Sequence, residues 1–206
     1  ASLGMTAKHC WNFNIFHIYR PDLLDDRLLR GGPVVEKPSV RVIGGNMGTD
    51  SRGRVSFNSY GEYAWNRMGG YGRSIGMGID YRPVPNATLS LGPNWNDSRS
   101  MLQYVQRFPD ATNTEFYGQR YVLASIDQKS LSLETRLSWT FSPTTSFELY
   151  AQPLVASGDY FDFKEYDRKR TSDVSIYGRD KGTITETPSS TPVDPCSIAI
   201  ARDGAG

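Results

Sequence analysis

The sequence predicts an all-β fold. It reads as an antiparallel up-and-down sheet of about seven to eight long amphipathic strands with the proportions of a transmembrane β-barrel, incomplete on its own. Three observations predict it. Apolar and polar residues alternate with a period of two through much of the chain. The apolar parity is bounded by Trp, Tyr and Phe near strand ends. Connectors are short on one side and, the brief Arg67–Gly70 turn excepted, long on the other.

Taken in order, the first strand is expected at about 8–20, with Trp11, Phe13, Ile15, His17 and Tyr19 on one parity. The connector Arg20–Pro38 reads as a loop stopped by Gly31-Gly32-Pro33, with Asp25, Asp26, Arg27 and Arg30 in a local ion-pair network. Strands are next expected at 38–47 and 53–66, joined by the polar turn Gly48–Gly53; Val55, Phe57, Tyr63 and Trp65 line one parity of the second. In 71–82, Ile75, Met77, Ile79 and Tyr81 oppose Ser74, Gly76, Gly78 and Asp80. In 87–106, Leu89, Leu91, Pro93 and Trp95 oppose Ser90, Gly92, Asn94 and Asn96.

Phe108–Gln119 is a Pro/Asn/Thr loop between two strands that project past the amphipathic zone. The second of these, 120–142, carries the clearest alternation: Leu131, Leu133, Thr135, Leu137, Trp139 and Phe141 against Ser130, Ser132, Glu134, Arg136, Ser138 and Thr140. Ser142-Pro143-Thr144-Thr145 turns the chain into 146–157, where Phe147 and Leu149 alternate with Glu148 and Tyr150. Residues 158–206 read as a long external loop with a short strand at 172–177, and 1–206 as a single partial-barrel domain.

Bulk properties exclude several functions. A net charge of +1 without a Lys/Arg block argues against a nucleic-acid face. A mean hydropathy of −0.49 and the absence of any run of about eighteen apolar residues exclude a transmembrane helix but not a barrel, whose strands hide half their residues from lipid. Cys10 and Cys196 are too few for a disulfide scaffold, and their separation does not establish pairing. The first residues lack the pattern of a signal peptide, and the last, A-R-D-G-A-G, are loop-like, so the chain is expected to be a fragment.

His9 and His17 share one strand parity too far apart to hold one metal, and Asp22, Asp25 and Asp26 lack EF-hand spacing. There is no G-x-S-x-G and no H-E-x-x-H; Asp159, Asp162 and Glu165 would do acid-base chemistry only if a loop folded them together. The reading is non-enzymatic, with no cofactor and no metal.

Alternation alone also suits a soluble sandwich, so the alternative is a soluble β-sandwich carbohydrate-binding or adhesive module with exposed Tyr and Trp. Aromatic placement and connector asymmetry favour the barrel. Asp80, Glu134, Arg136 and Glu148 are then expected to face a polar lumen, with Glu134 and Arg136 bracing the wall. Tyr81, Leu89, Leu91, Trp95, Leu131, Leu133, Leu137, Trp139 and Phe141 are expected to face lipid or form an aromatic girdle.

Four separated motifs carry a resemblance: D-D-R-L-L-R-G-G-P at Asp25–Pro33, T-D-S-R at Thr49–Arg52, Y-G-Q-R-Y-V-L-A-S-I-D-Q at Tyr117–Gln128 and Y-A-Q-P-L-V-A-S-G-D-Y at Tyr150–Tyr160. The chain resembles the C-terminal outer-membrane β-barrel of the bacterial family called domain of unknown function 5916, in which a domain similar to a family 9 carbohydrate-binding module comes first. That resemblance implies the bacterial outer membrane as location. It implies membrane lipid, the remaining strands and the N-terminal domain of a parent protein as partners, and a link to carbohydrate or another surface nutrient. It supplies no established activity.

Overall fold

The computed structural model describes residues 1–7, 11–191 and 194–201, with side chains through residue 185. The expectations on His9 and on pairing of Cys10 with Cys196 lie outside the described residues and side chains. The fold is all-β, with antiparallel sheets.

One ten-stranded sheet has the order β1-β2-β5-β6-β7-β8-β9-β11-β12, with β10 also on β9. The strands are β1 Ser2–Thr6, β2 Asn12–Arg20, β5 Val40–Gly48, β6 Val55–Asn66, β7 Tyr71–Val84, β8 Ala87–Pro109, β9 Gln119–Ser142, β10 Thr145–Ala151, β11 Leu154–Tyr166 and β12 Val174–Ile176. Two hairpins stand apart: β3 Leu23–Asp25 with β4 Val35–Lys37, and β13 Thr183–Thr191 with β14 Asp194–Ala201. Successive long strands pair in chain order, and the described sheet is an open path from β1 to β12 rather than a closed barrel.

Local chemistry sets the turns. Asn66 Oδ1 accepts from the Met68 and Gly70 amides, both at 2.9 Å, while Gly69 supplies the left-handed residue at φ +89°. In the β5–β6 turn the Phe57 amide donates to Thr49 Oγ1 at 2.8 Å, and Asp50 accepts from the Arg52 amide at 3.0 Å.

The chain divides into two compact units, and β8, β9 and β11 each contribute residues to both. The first is Ala1–Pro21, Ser39–Ser100 and Asp127–Asp159. The second is Asp22–Pro38, Met101–Ile126 and Tyr160–Gly206.

The first unit is a meander with hardly any apolar interior: Val42 and Ala87 are its only buried hydrophobic residues among those described. The second has a conventional core on both faces of β9. Tyr121 and Leu123 pack with Leu29, Val35, Phe116 and Tyr166; Val122 and Ala124 pack with Phe163 and Tyr177. Burial of such side chains is worth roughly 1.5–3 kcal/mol each, so this unit has the ordinary means of holding itself together in water.

Several sequence expectations are corrected. The expected strand at 146–157 is two strands, because Pro153 has no N–H to give the ladder; its carbonyl still accepts from Leu133 at 3.1 Å. The expected loop from 158 onward is strand through Tyr166 and again in β13 and β14, while β12 falls within the short strand expected at 172–177. The connector Arg20–Pro38 contains the β3–β4 hairpin. Its Asp25 pairs with Lys37 at 2.6 Å and caps the Arg27 and Leu28 amides, in place of the expected Asp25–Arg30 network.

Candidate functional site

The candidate site is the two-faced sheet of the first unit. Side chains alternate across a strand, so the pairing register assigns each residue to a face. One row across the strands reads Leu3, Ile15, Gly45, Gly61, Ile75, Trp95; another reads Phe57, Ile79, Leu91; a third Val55, Tyr81, Leu89. On β9 and β10 the same pattern gives Leu137 opposite Leu149 and Trp139 opposite Phe147.

Most of this apolar face is exposed: Leu3, Ile15, Ile43, Val55, Ile75, Met77, Ile79, Tyr81, Trp95, Leu131, Leu133, Trp139 and Phe141 are exposed large hydrophobics, while Phe57, Leu89, Leu91 and Leu137 are half-buried. Leu131 is 56% and Val55 58% exposed. Soluble monomers rarely carry a contiguous apolar patch beyond a few hundred Å². Aromatics edge it, with Tyr63 stacked on Trp65 (centroids 5.4 Å apart) at one end and Trp139 on Phe141 (4.7 Å) at the other. From Tyr71 to Tyr81, β7 covers the ~9–11 residues a tilted membrane strand needs.

The opposite face is polar and rich in glycine. Its rows include Asn14, Asn46, Tyr60, Gly76, Asn94 and, beside it, Asn12, Gly48, Asn58, Gly78. Large side chains lie over glycines on the next strand: a Cβ at Gly78 would meet Asn58 Nδ2 at 2.5 Å, and one at Gly76 would collide with the Tyr60 ring. Asn94 Nδ2 donates to Tyr60 Oη at 2.7 Å, Asn96 Nδ2 to Asn94 Oδ1 at 2.6 Å, and Ser74 Oγ to Asn96 Oδ1 at 2.7 Å. Asn12, Asn46, Asn58, Tyr60 and Asp80 line a concavity of about 360 Å³.

The residues named from sequence fall as follows. Tyr81, Leu89, Leu91 and Trp95 share the apolar face through the β7–β8 register, and Leu131, Leu133, Leu137, Trp139 and Phe141 share one parity of β9. Asp80 accepts from Ser90 Oγ at 2.6 Å and Ser56 Oγ at 3.3 Å on the polar face. Arg136 pairs with Glu134 at 3.4 Å along β9, and Glu148 stands opposite Ser138. Asp159, Asp162 and Glu165 lie on β11. Asp159 and Asp162 are exposed and Glu165 is buried.

Polar burial in the second unit was not legible beforehand. Glu165, 3% exposed, accepts from Tyr177 Oη and from Lys181 Nζ at 2.7 Å, with Arg120 Nε at 3.8 Å. Arg120 also reaches Asp110 at 3.2 Å. Bonding first to Thr112, and also to Arg120, holds the Asp110 carboxyl down at about 2 against the cost of its own desolvation.

Lys164, 1% exposed, donates to Ser125 Oγ at 2.7 Å. Burial pushes its pKa below the ordinary 10.5; nearby Asp162 opposes that and Arg179 adds to it. The folded ammonium loses its proton before the unfolded one does. Stability of this unit therefore rises with pH from the folded pKa up to 10.5, and the charged form is penalised below that window. Lys164→Met is expected to stabilise the unit by about 1–3 kcal/mol at neutral pH and to flatten the rise, as read from urea midpoints across pH.

No helix among the described residues is long and apolar enough to cross a membrane, and no three His, Cys, Asp or Glu side chains gather as metal ligands. No protein-family model, curated protein or solved structure matches the chain. The functional reading therefore rests on the geometry of the two faces.

Proposed function

We propose that the first unit is part of the wall of a bacterial outer-membrane β-barrel, its apolar face against lipid and its Asn/Ser/Asp face toward a water-filled interior. The observation that carries this reading is a sheet of hydrogen-bonded antiparallel strands with almost no interior of its own, whose apolar side chains stand uncovered in an aromatic-edged band. In water such a face costs roughly 25 cal/mol per Å² left wet; in hydrocarbon it costs nothing. Closing the wall requires further strands along the free edges of the sheet, because an unpaired edge is costly in lipid.

The second unit has its own core. Long connectors mark the external side of such a wall and short turns the other, so the Ser142–Thr145 turn is periplasmic. The amide-rich concavity around Asn46, Asn58 and Tyr60 suits a neutral, hydroxyl-bearing solute, which supports a role in carbohydrate or nutrient uptake and no catalytic role. The resemblance to the domain-of-unknown-function 5916 barrel belongs to the same proposal.

Trp95 and Trp139 provide the test. Reconstituted in vesicles with brominated acyl chains, and read in variants that keep one tryptophan each, the protein is expected to show Trp95 quenched most by bromine at mid-depth and Trp139 most by bromine near the headgroups, and to aggregate when detergent or lipid is withdrawn. A monodisperse, unquenched protein in plain buffer would instead establish the soluble sandwich.

A further inference from the structure

We propose that an arginine–tyrosine belt at the external end of the apolar face binds the phosphates of an outer-leaflet glycolipid. This rests on the wall reading above.

The belt occupies two adjacent rows. One contains Tyr19, Arg41, Trp65, Tyr71 and Arg99, paired in register across β2, β5, β6, β7 and β8; the next contains Ile43, Tyr63, Arg73 and Asp97. It lies at the end of β8 from which that strand continues past Ser100. All these side chains share the parity of Ile75, Met77 and Trp95, so they stand on the surface assigned to lipid and not on the polar one.

Cations on a lipid-facing surface are expensive at mid-depth and cheap at the headgroup level, where a long side chain reaches the interface. Snorkelling alone would suit either end. Among the described residues, however, the apolar face carries no arginine in the rows of Phe57, Ile79 and Leu91 or of Val55, Tyr81 and Leu89 at the other end. The clustering is one-sided.

Tyrosine rings hold the guanidinium groups in place. Arg73 lies 5.0 Å over Tyr71 and 5.6 Å over Tyr63, Arg99 5.7 Å over Tyr71, and Arg41 5.7 Å over Tyr19. Arg99 is neutralised by Asp127 through two 2.6 Å bonds. Arg73 only approaches Asp97, at 4.0 Å, and Arg41 has no carboxylate within ion-pair distance among the described residues.

Lys129 is exposed two residues along β9 from Asp127. Arg41, Arg73, Arg99 and Lys129 against Asp97 and Asp127 leave the belt cationic. Guanidinium forks held on aromatic faces, with charge to spare at headgroup depth, complement a phosphate monoester on a lipid.

Native mass spectrometry of the protein released from detergent micelles tests this, after incubation with a bis-phosphorylated disaccharide glycolipid or its enzymatically dephosphorylated form. The wild type is expected to retain the phosphorylated lipid. The double variant Arg41→Gln/Arg73→Gln is expected to lose about tenfold in retention, a change of about 1.4 kcal/mol. Arg136→Gln, on the polar face, is expected to match the wild type.

Equal retention of both lipid forms, or full retention by the double variant, overturns the proposal. So does equally tight binding of inorganic pyrophosphate, which would assign the belt to a soluble anion. Tryptophan quenching by brominated chains, read on the same samples, separates the two levels. Quenching without phosphate dependence sinks the belt and spares the wall, whereas absent quenching sinks both.

Discussion

Leu133→Arg is expected to cost about 2–4 kcal/mol of folding stability in a bilayer, the penalty of a cation on the lipid face of a barrel near mid-depth. Leu133 is 39% exposed and lies between Leu131 and Leu137 on the apolar parity of β9. On a surface facing water the same change would move stability by no more than about 0.5 kcal/mol. Urea midpoints in phospholipid vesicles give the number. Ser132→Arg, one residue along and on the polar parity, is the matched control and is expected to be near neutral. If both variants behave alike, the two faces of the sheet are not in different solvents and the wall reading fails.

Glu165→Ala is expected to cost about 3–5 kcal/mol in the second unit. The loss comes less from the ion pair itself than from what remains: Arg120, whose Nε is already buried without a hydrogen bond, and Lys181 would each lose one of two carboxylates, keeping only Asp110 and Asp167. Tyr177 Oη would lose its acceptor as well. Glu165→Gln keeps the shape and an acceptor oxygen, and should fall between wild type and Ala. Amide hydrogen exchange at Lys164, Glu165 and Tyr166, which pair with Ile176, Ser175 and Val174, reads the effect locally. An unchanged exchange rate in Glu165→Ala would show that Lys181 finds full compensation in Asp167, now 3.0 Å away.

The two variants probe regions whose legibility differed. Leu133 could be placed from sequence, because alternation in β9 is a local property: each residue's face follows from its neighbour's. Glu165 could not. Its burial depends on Arg120 and Lys181, brought from distant parts of the chain, and a charged run such as Phe163–Tyr166 ordinarily reads as solvated surface. A signal for the second unit did exist in Tyr121–Ile126, an almost unbroken run of small and apolar residues of the kind that marks a strand covered on both faces. The β3–β4 hairpin offered no such signal, since three-residue strands are shorter than any period that could reveal them.

Arg41, Arg73 and Arg99 were also visible, as cations on the apolar parity. Their common position was not, because which residues share a row depends on register across four strands.

By itself the sequence determined the all-β class, the strands β5 to β9 to within a few residues and the division of β7, β8 and β9 into an apolar and a polar parity. Period-two patterning and turn chemistry are encoded within a dozen residues, so folding context was not needed to read them. Only the tertiary structure decided that the apolar parity of the first unit stays uncovered while the second unit buries its own, and that Pro153 splits a strand without unpairing it. Coverage and pairing are relations between segments far apart in the chain, and no local period records them.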